Sequence, residues 1–371
     1  MSAITAITMP KWGLTMTEGK ILGWLKAAGD AVAASDELVE IETTKITNVL
    51  EAGETGVLRR IVAAPGATLP IGGLIAVVAS LDTPDSEIDA FVAGFTAPEP
   101  AAAEAENTAS APQELAAGDY RLHYLDLGDG GVPIVFIHGF GADLNTWMFN
   151  QPALAERQRT IALDLPGHGG STKALSSAFD SAGFAADIDR ALAALGINRV
   201  HLVGHSMGGA VALHLAGWQP DRVVSLTLIA SAELGAEINA AFIGGFVKME
   251  RRREAQKVLR LLVHDPALVS RQMVEDVLRY KRLDGVAAAL SAIAAEWFPN
   301  GVQRARWAEI AATLAIPTQI IWGSDDKIIP VAHAEALADR VPVHILDAAG
   351  HLPHMEKSAE VNRLIARFVA G

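Results

Sequence analysis

The stretch Val200-His-Leu-Val-Gly-His-Ser-Met-Gly-Gly209 decides the fold of the larger part of this 371-residue chain. An apolar run of the kind found in buried strands ends at Gly204, and an apolar helical pattern follows Gly209. Small residues two positions before and after a serine permit a tight strand–turn–helix that exposes the hydroxyl above a sheet. The stretch therefore predicts an α/β fold with Ser206 as a candidate nucleophile.

Similar apolar runs alternate with helical patterns along the rest of this region. Near-continuous apolar strands separated by helices predict a parallel sheet covered on both faces. No strand pattern occurs between residues 232 and 312, so we expect a helical cap there, beyond the strand ends where ligands bind in such sheets. The predicted strands are 133–137, 160–164, 200–204, 224–229, 317–322 and 343–346.

Carboxylates and a histidine follow Ser206 in the chain order of a nucleophile, acid and base. A serine hydroxyl becomes a good nucleophile only when an imidazole removes its proton and a carboxylate orients that imidazole. We assign Ser206 as nucleophile, His351 as general base and then acid, and Asp326 as the orienting acid. Asp325 remains an alternative, because spacing does not separate adjacent carboxylates. We expect His354 to be a supporting residue that contacts the base or the cap.

The first 80 residues show a different pattern. Short strand patterns lie between Gly and Asp turns, and the segment 28–41 has a counterpart about 37 residues later, at 65–77. This repeat predicts an all-β domain of two similar sheets, a flattened barrel or sandwich.

A biased segment separates the two regions. Residues 97–117 hold nine Ala, four Glu and three Pro, with no Lys or Arg, and such a composition buries too little apolar surface to offset its ordering entropy. The alternative is a docked helix, which the proline residues disfavour. The predicted organisation is 1–80, an Ala/Pro/Glu-rich linker at 81–117, and 118–371 with a cap at about 232–312.

Composition narrows the function classes. The net charge of −13 argues against nucleic acid as a partner, and the absence of cysteine excludes disulfides, a thiol nucleophile and Cys-ligated metals. His201 and His205 are four residues apart, but a strand that enters the turn favours packing over metal binding. No signal or membrane-spanning pattern is visible, so we expect a cytoplasmic protein that binds neither a metal nor a membrane.

Two resemblances sharpen these expectations. Residues 4–79, with Met9-Pro-Lys-Trp-Gly-Leu14 and Glu40-Ile-Glu-Thr-Thr-Lys45, resemble a lipoyl domain of the 2-oxo-acid dehydrogenase complexes. That resemblance implies lipoic acid in amide linkage to Lys45. The Met-Lys-Met of biotinyl domains is absent, which favours lipoate over biotin.

Residues 118–371 resemble the α/β-hydrolase superfamily, which implies acyl transfer through a serine ester and an oxyanion hole formed by the backbone N–H groups of Phe140 and Met207.

The combined layout resembles the acyltransferase component of acetoin dehydrogenase complexes. It implies that an acetyl group carried on lipoyl-lysine passes to coenzyme A. Implied partners are a thiamine-diphosphate-dependent acetoin dehydrogenase component and dihydrolipoyl dehydrogenase, and we expect a homo-oligomer. The usual acyltransferase motif H-x-x-x-D-G is absent from this chain. Two alternatives stay open: a carboxyl-ester or thioester hydrolase localised by its N-terminal domain, and a carrier scaffold with an idle hydrolase-like domain.

Overall fold

The structure is a computed structural model that describes residues 4–10, 17–33, 36–43, 47–95, 111–175, 179–303 and 307–371. The chain separates into two compact units, residues 1–108 and 109–371. Lys45 lies outside the described residues. Within those ranges no helix combines the length and the apolarity that crossing a lipid bilayer requires.

The N-terminal unit contains two four-stranded antiparallel sheets, which confirms the predicted all-β fold. One sheet has the strand order β1-β8-β6-β3 and the other β5-β4-β2-β7. Alternating side chains of both sheets form a core in which Ile21, Leu38, Ile41, Leu58 and Ile75 are fully buried. The strands are β1 Thr5–Thr8, β2 Glu18–Trp24, β3 Ala31–Val32, β4 Glu37–Glu42, β5 Thr47–Glu51, β6 Gly56–Ile61, β7 Thr68–Pro70 and β8 Leu74–Ala79.

A helix, α1, follows β8 at Asp85–Gly94 and corrects the first part of the predicted linker. Ile88 is fully buried against Leu74 and Val77, and Phe91 and Val92 pack beside it. Apolar residues spaced by three and four positions place one face of this helix on the sheet. Residues 81–95 therefore belong to the first compact unit and are not a linker.

The C-terminal unit is built on an eight-stranded sheet with the order β16-β15-β14-β13-β11-β12-β10-β9. The six predicted strands are all present and parallel, whereas β9 and β10 pair antiparallel at one edge. Strand β9 lies within the predicted linker and corrects its last part. The strands are β9 Gln113–Ala117, β10 Tyr120–Leu127, β11 Ile134–Ile137, β12 Thr160–Leu163, β13 Val200–His205, β14 Val223–Ile229, β15 Thr318–Gly323 and β16 Val343–Leu346.

Helices cover this sheet and extend beyond it. Helix α4 packs on β11, β13 and β14, while α2 packs on β10 and β12. Among the described residues between β14 and β15, where we expect the cap, the structure has five helices, α5 to α9. The helices are α2 Gln151–Ala155, α3 Ser181–Ala194, α4 Met207–Trp218, α5 Ala240–Lys248, α6 Arg252–Leu259, α7 Arg271–Lys281, α8 Val286–Trp297, α9 Ala308–Thr313, α10 Ala332–Glu335, α11 Pro353–Glu356 and α12 Ser358–Val369.

Candidate active site

Ser206 occupies the turn between β13 and α4 in a strained backbone conformation. Its φ is +52° and its ψ is −119°, a region that residues with a side chain rarely adopt. A methyl group at Gly204 would lie 2.4 Å from the carbonyl oxygen of Gly208, and one at Gly208 would lie 2.2 Å from that of Ile137. Both glycines are therefore required by backbone contact, as the sequence pattern indicated.

Three side chains form one hydrogen-bonded chain at this turn. The Oγ of Ser206 lies 3.0 Å from Nε2 of His351, and Nδ1 of His351 lies 2.8 Å from Oδ2 of Asp326. An ionised carboxylate only accepts hydrogen bonds, so Nδ1 carries the proton and Nε2 is free to accept the serine proton. The side chains of His351 and Asp326 are 3% and 0% exposed, which keeps competing water away from the His–Asp pair.

The backbone around Asp326 selects it over Asp325. Its other oxygen, Oδ1, accepts hydrogen bonds from the N–H groups of Ile328 at 2.8 Å and Ile329 at 3.0 Å, and these fix the carboxylate. Asp325 points elsewhere: its Oδ2 lies 3.0 Å from Nδ1 of His264, and its side chain is 45% exposed. The structure thus brings Ser206, His351 and Asp326 together and leaves Asp325 outside the triad geometry.

The two candidate oxyanion donors lie beside Ser206. A methyl group at Gly139 would be 3.0 Å from Cβ of Ser206, so the loop that continues to Phe140 touches the nucleophile. Met207 is the first residue of α4, and its N–H lies at the positive end of that helix. Among the described residues, the N–H groups of Phe140 and Met207 have no hydrogen-bond acceptor. The arrangement offers two unpaired donors to a developing negative charge.

Buried imidazoles pack behind the triad, and sequence spacing missed this role. His205 donates its Nε2 hydrogen to the carbonyl oxygen of His351 at 2.8 Å, and its ring lies 4.5 Å from that of His354. Burial lowers the pKa of His205 well below its usual value and the pKa of His354 to about 3. Both rings are therefore neutral at neutral pH, and they add no positive charge that would repel a proton moving onto His351.

A second pair of buried histidines supports the loop that carries Phe140. His138 donates from Nδ1 to the Gly139 carbonyl at 2.8 Å, and its Nε2 accepts the N–H of Leu165 at 3.0 Å. Burial lowers the pKa of His138, and burial lowers the pKa of His168 to about 3. These hydrogen bonds require a neutral His138, so the loop has its proper form when both rings are uncharged.

The His201 and His205 pair does not converge on a common point. Nδ1 of His201 lies 2.7 Å from Oγ of Ser225, while His205 points at His351. Across the described part of the chain, no group of three or more potential ligands could hold a metal ion. Both imidazoles have roles in packing and hydrogen bonding.

The predicted attachment lysine falls between two paired strands of the N-terminal unit. Strands β4 and β5 are antiparallel neighbours, and Glu42 pairs with Thr47. The chain links these partners through four residues, of which Lys45 is the third. Strand β5, which follows Lys45 in the chain, is the outermost strand of its sheet.

The fold and the triad geometry define the class of each unit. A family model described as alpha/beta hydrolase fold matches residues 132–358, and one described as biotin-requiring enzyme matches residues 5–78. The meta-cleavage product hydrolase of Pseudomonas fluorescens IP01 is a structural neighbour at a TM-score of 0.63 and 24% identity, covering 71% of this chain and 98% of its own. The chain thus joins a biotin/lipoyl-type domain to an α/β-hydrolase-fold domain.

Two relatives share this entire layout. The dihydrolipoyllysine-residue acetyltransferase component of the acetoin cleaving system of Pseudomonas putida is 45% identical over 100% of this chain and 99% of its own length. The component of the same name from Cupriavidus necator is 41% identical over 99% and 98%. The chain belongs to this family of acetyltransferase components of acetoin cleaving systems.

Proposed function

We propose that this chain carries an acetyl group on a lipoyl group at Lys45 and transfers it to coenzyme A with the aid of Ser206, His351 and Asp326. The single observation that carries the proposal is the continuous hydrogen-bonded triad in a chain that also places a lysine between β4 and β5. A carrier group and an acyl-transfer site on one polypeptide are the two parts that a transacetylase needs.

The residues around position 45 fit a covalent acyl carrier. An attachment lysine must be reached by a ligase, and β5, the strand that follows Lys45 in the chain, is the outermost strand of its sheet. When attached and reduced, a lipoyl group would supply a thiol that can hold an acetyl group as a thioester at the end of a long arm. Glu42 and Thr47 pair across the strands on either side, so the chain itself fixes the two ends of the connection.

The triad supplies the chemistry of acyl transfer from a thioester. Nε2 of His351 removes the proton of Ser206, and Oγ forms a bond to the acetyl carbonyl carbon. The N–H groups of Phe140 and Met207 donate to the carbonyl oxygen as it becomes negative. The carbon–sulfur bond then breaks, and His351 returns the proton to the departing thiolate. Asp326 holds the imidazole and stabilises its charged form throughout.

The second half of the transfer uses the same groups in reverse order. His351 takes the proton of the coenzyme A thiol, whose sulfur attacks the acetyl ester on Ser206. The carbon–oxygen bond breaks, and His351 returns the proton to Oγ of Ser206. Acetyl coenzyme A leaves, and the triad is in its starting state. The acetyl–Ser206 ester is a separate hypothesis within the proposal, because direct transfer between thiols needs only the base.

The proposal extends to the assembly in which the chain works. We infer that it operates in a multienzyme complex with a thiamine-diphosphate-dependent acetoin dehydrogenase component, which cleaves acetoin and reductively acetylates the carrier, and with dihydrolipoyl dehydrogenase, which reoxidises the dithiol left after transfer. We also infer a homo-oligomer in the cytoplasm. The names of the two full-length relatives, each a component of a cleaving system, support the assignment to a multienzyme complex.

Two measurements test the proposal. Intact-mass spectrometry of the protein isolated from its own cells, with peptide mapping, should find a lipoyl adduct at Lys45, and an unmodified lysine would reject the carrier role. Lys45→Arg is expected to abolish acetyl transfer in the assembled complex while leaving turnover of soluble dihydrolipoamide intact.

Purified protein incubated with acetyl coenzyme A and dihydrolipoamide should exchange the acetyl group. Ser206→Ala is expected to reduce this rate by at least about 1,000-fold, the scale on which triad nucleophiles contribute. Unchanged exchange in Ser206→Ala would reject the acetyl–serine intermediate, and unchanged exchange in His351→Ala would reject any role of the triad.

A serine hydrolase is the second candidate, because nothing in the triad geometry itself excludes water as the acceptor. It predicts turnover of simple esters or thioesters that is independent of coenzyme A. Comparing acetate release with acetyl coenzyme A formation in the same reaction distinguishes the two, since a transferase forms the thioester in excess.

A further inference from the structure

A short stretch of the cap touches the loop that carries the general base. The stretch is residues 262–264, which follow α6 and are called the cap segment below. The N–H of His351 donates to the carbonyl oxygen of Leu262 at 2.8 Å. The position of the catalytic imidazole therefore depends on a backbone hydrogen bond to the cap, in addition to its side-chain bond to Asp326.

Glu356, at the end of α11, bridges the same two stretches with its two carboxylate oxygens. Oε1 accepts the N–H of Gly350 at 2.7 Å, and Oε2 accepts the N–H of His264 at 2.7 Å. Hydrogen bonds to an ionised acceptor are short and about twice as strong as neutral ones. One side chain thus fixes the residue before the catalytic histidine and the end of the cap segment.

Gly350 shows how tightly the two stretches are packed. A methyl group at this position would lie 2.7 Å from the carbonyl carbon of Val263 and 2.8 Å from the carbonyl oxygen of Leu262. Neither atom is the mobile end of a side chain, so a side chain at position 350 would push the cap segment away. Close backbone contact between the cap segment and the His351 loop therefore depends on glycine at position 350.

We propose that Glu356 is a positioning residue that ties the cap segment to the loop of His351, so that seating of the cap and alignment of the general base occur together. The inference rests on the proposed role of His351 as base. Displacement of the cap segment removes the acceptor of the His351 N–H, which is the Leu262 carbonyl, and one of the two N–H donors to Glu356, that of His264. A triad aligned only under a seated cap would act chiefly when the cap covers the substrate, which disfavours attack by bulk water.

The test compares Glu356→Gln with Glu360→Gln, a matched change on the adjacent helix α12, where Glu360 is 46% exposed and pairs with Arg363. In Glu356→Gln, the amide oxygen can still accept one of the two backbone N–H groups. The amide NH₂ then faces the other N–H, so two donors meet and that hydrogen bond is lost. With p-nitrophenyl acetate as substrate, we expect kcat to fall by about 10- to 100-fold, as a displacement of about 1 Å in a catalytic group does. KM should stay within about two-fold, because the substrate contacts are unchanged.

Hydrogen exchange followed by mass spectrometry gives a second readout that does not depend on the reaction. Faster exchange in peptides covering 259–266 and 347–357 of Glu356→Gln, with other peptides unchanged, supports the proposal. Gly350→Ala should reproduce this local pattern, and Glu356→Asp should restore part of kcat. Equal kcat and equal exchange in Glu356→Gln and the parent would overturn the inference. So would faster exchange throughout the C-terminal unit, which marks a merely structural role.

The outcomes separate this inference from the proposed function. Ser206→Ala with parental acetyl exchange would reject the acetyl–serine intermediate, yet the hydrogen-exchange experiment would still decide whether Glu356 links the two stretches. Conversely, a normal Glu356→Gln variant leaves the transferase proposal intact and removes only the coupling.

Discussion

The stability of the C-terminal unit should decrease steeply in mild acid because of two buried imidazoles. His168 and His354 are 0% exposed, and burial lowers the pKa of each from 6.5 to about 3. In the unfolded chain both rings bind a proton near pH 6.5, whereas the folded chain keeps them neutral. Their contribution to stability is thus complete above pH 6.5 and is lost as the pH falls toward 3. Linkage gives a loss of about 2 kcal/mol per imidazole between pH 7 and pH 5.

Urea unfolding at pH 7, 6 and 5 measures this effect through the fluorescence of the buried Trp147, Trp297 and Trp322 of this unit. Between pH 7 and pH 5, the free energy of unfolding of His354→Gln should fall by about 2 kcal/mol less than that of the parent, whatever the stability of the variant at pH 7. His168→Gln gives an independent test with the same expected difference. Parallel pH curves for the parent and both variants would refute the argument that burial keeps these rings neutral.

Three further changes test other parts of the site. Asp326→Asn should reduce the rate of acetyl exchange by about 10⁴-fold, because it disturbs the tautomer of His351. Asp325→Asn should reduce that rate by less than about ten-fold, and equal losses would contradict the triad geometry. Gly208→Ala places a methyl group against the carbonyl of Ile137 and should lower the free energy of unfolding by at least about 2 kcal/mol in urea titration; parental stability would show that the turn can relax. The ring of Phe246 lies 5.7 Å from that of Phe140, whose N–H is a candidate oxyanion donor, so Phe246→Ala should raise the butyryl-to-acetyl rate ratio about ten-fold, and an unchanged ratio would place the acyl group elsewhere.

Local patterns predicted the elements that carry the chemistry. The glycines around Ser206 are dictated by contacts of the turn with its own helix and with β11, so their spacing is visible in the sequence. The choice between Asp325 and Asp326 is different in kind. It depends on hydrogen bonds from Ile328 and Ile329 that turn one carboxylate inward, and two adjacent residues give no spacing signal for this.

The predicted linker, 81–117, is too wide at both ends. The segments that form α1 and β9 gain their order from packing on neighbouring strands, which composition does not reveal. The helix α1 has a low content of bulky residues, but Ile88, Phe91 and Val92 share one face that covers β8. Strand β9 is rich in Ala and Glu and is held by pairing with β10 at the edge of the sheet. The contacts of Glu356 with His264 and of His205 with His351 could not be predicted from local patterns, because they join residues distant in the chain.

The first and last strands of the N-terminal unit are neighbours, since β1 pairs with β8 and Thr5 lies opposite Val78. The β4–β5 hairpin belongs to the other sheet. A segment that continues the chain after β8 therefore leaves from a different sheet than the one whose strands β4 and β5 flank Lys45 in sequence. A different catalytic domain can therefore be fused after this domain, by evolution or by engineering, without rebuilding the surface that a ligase must recognise.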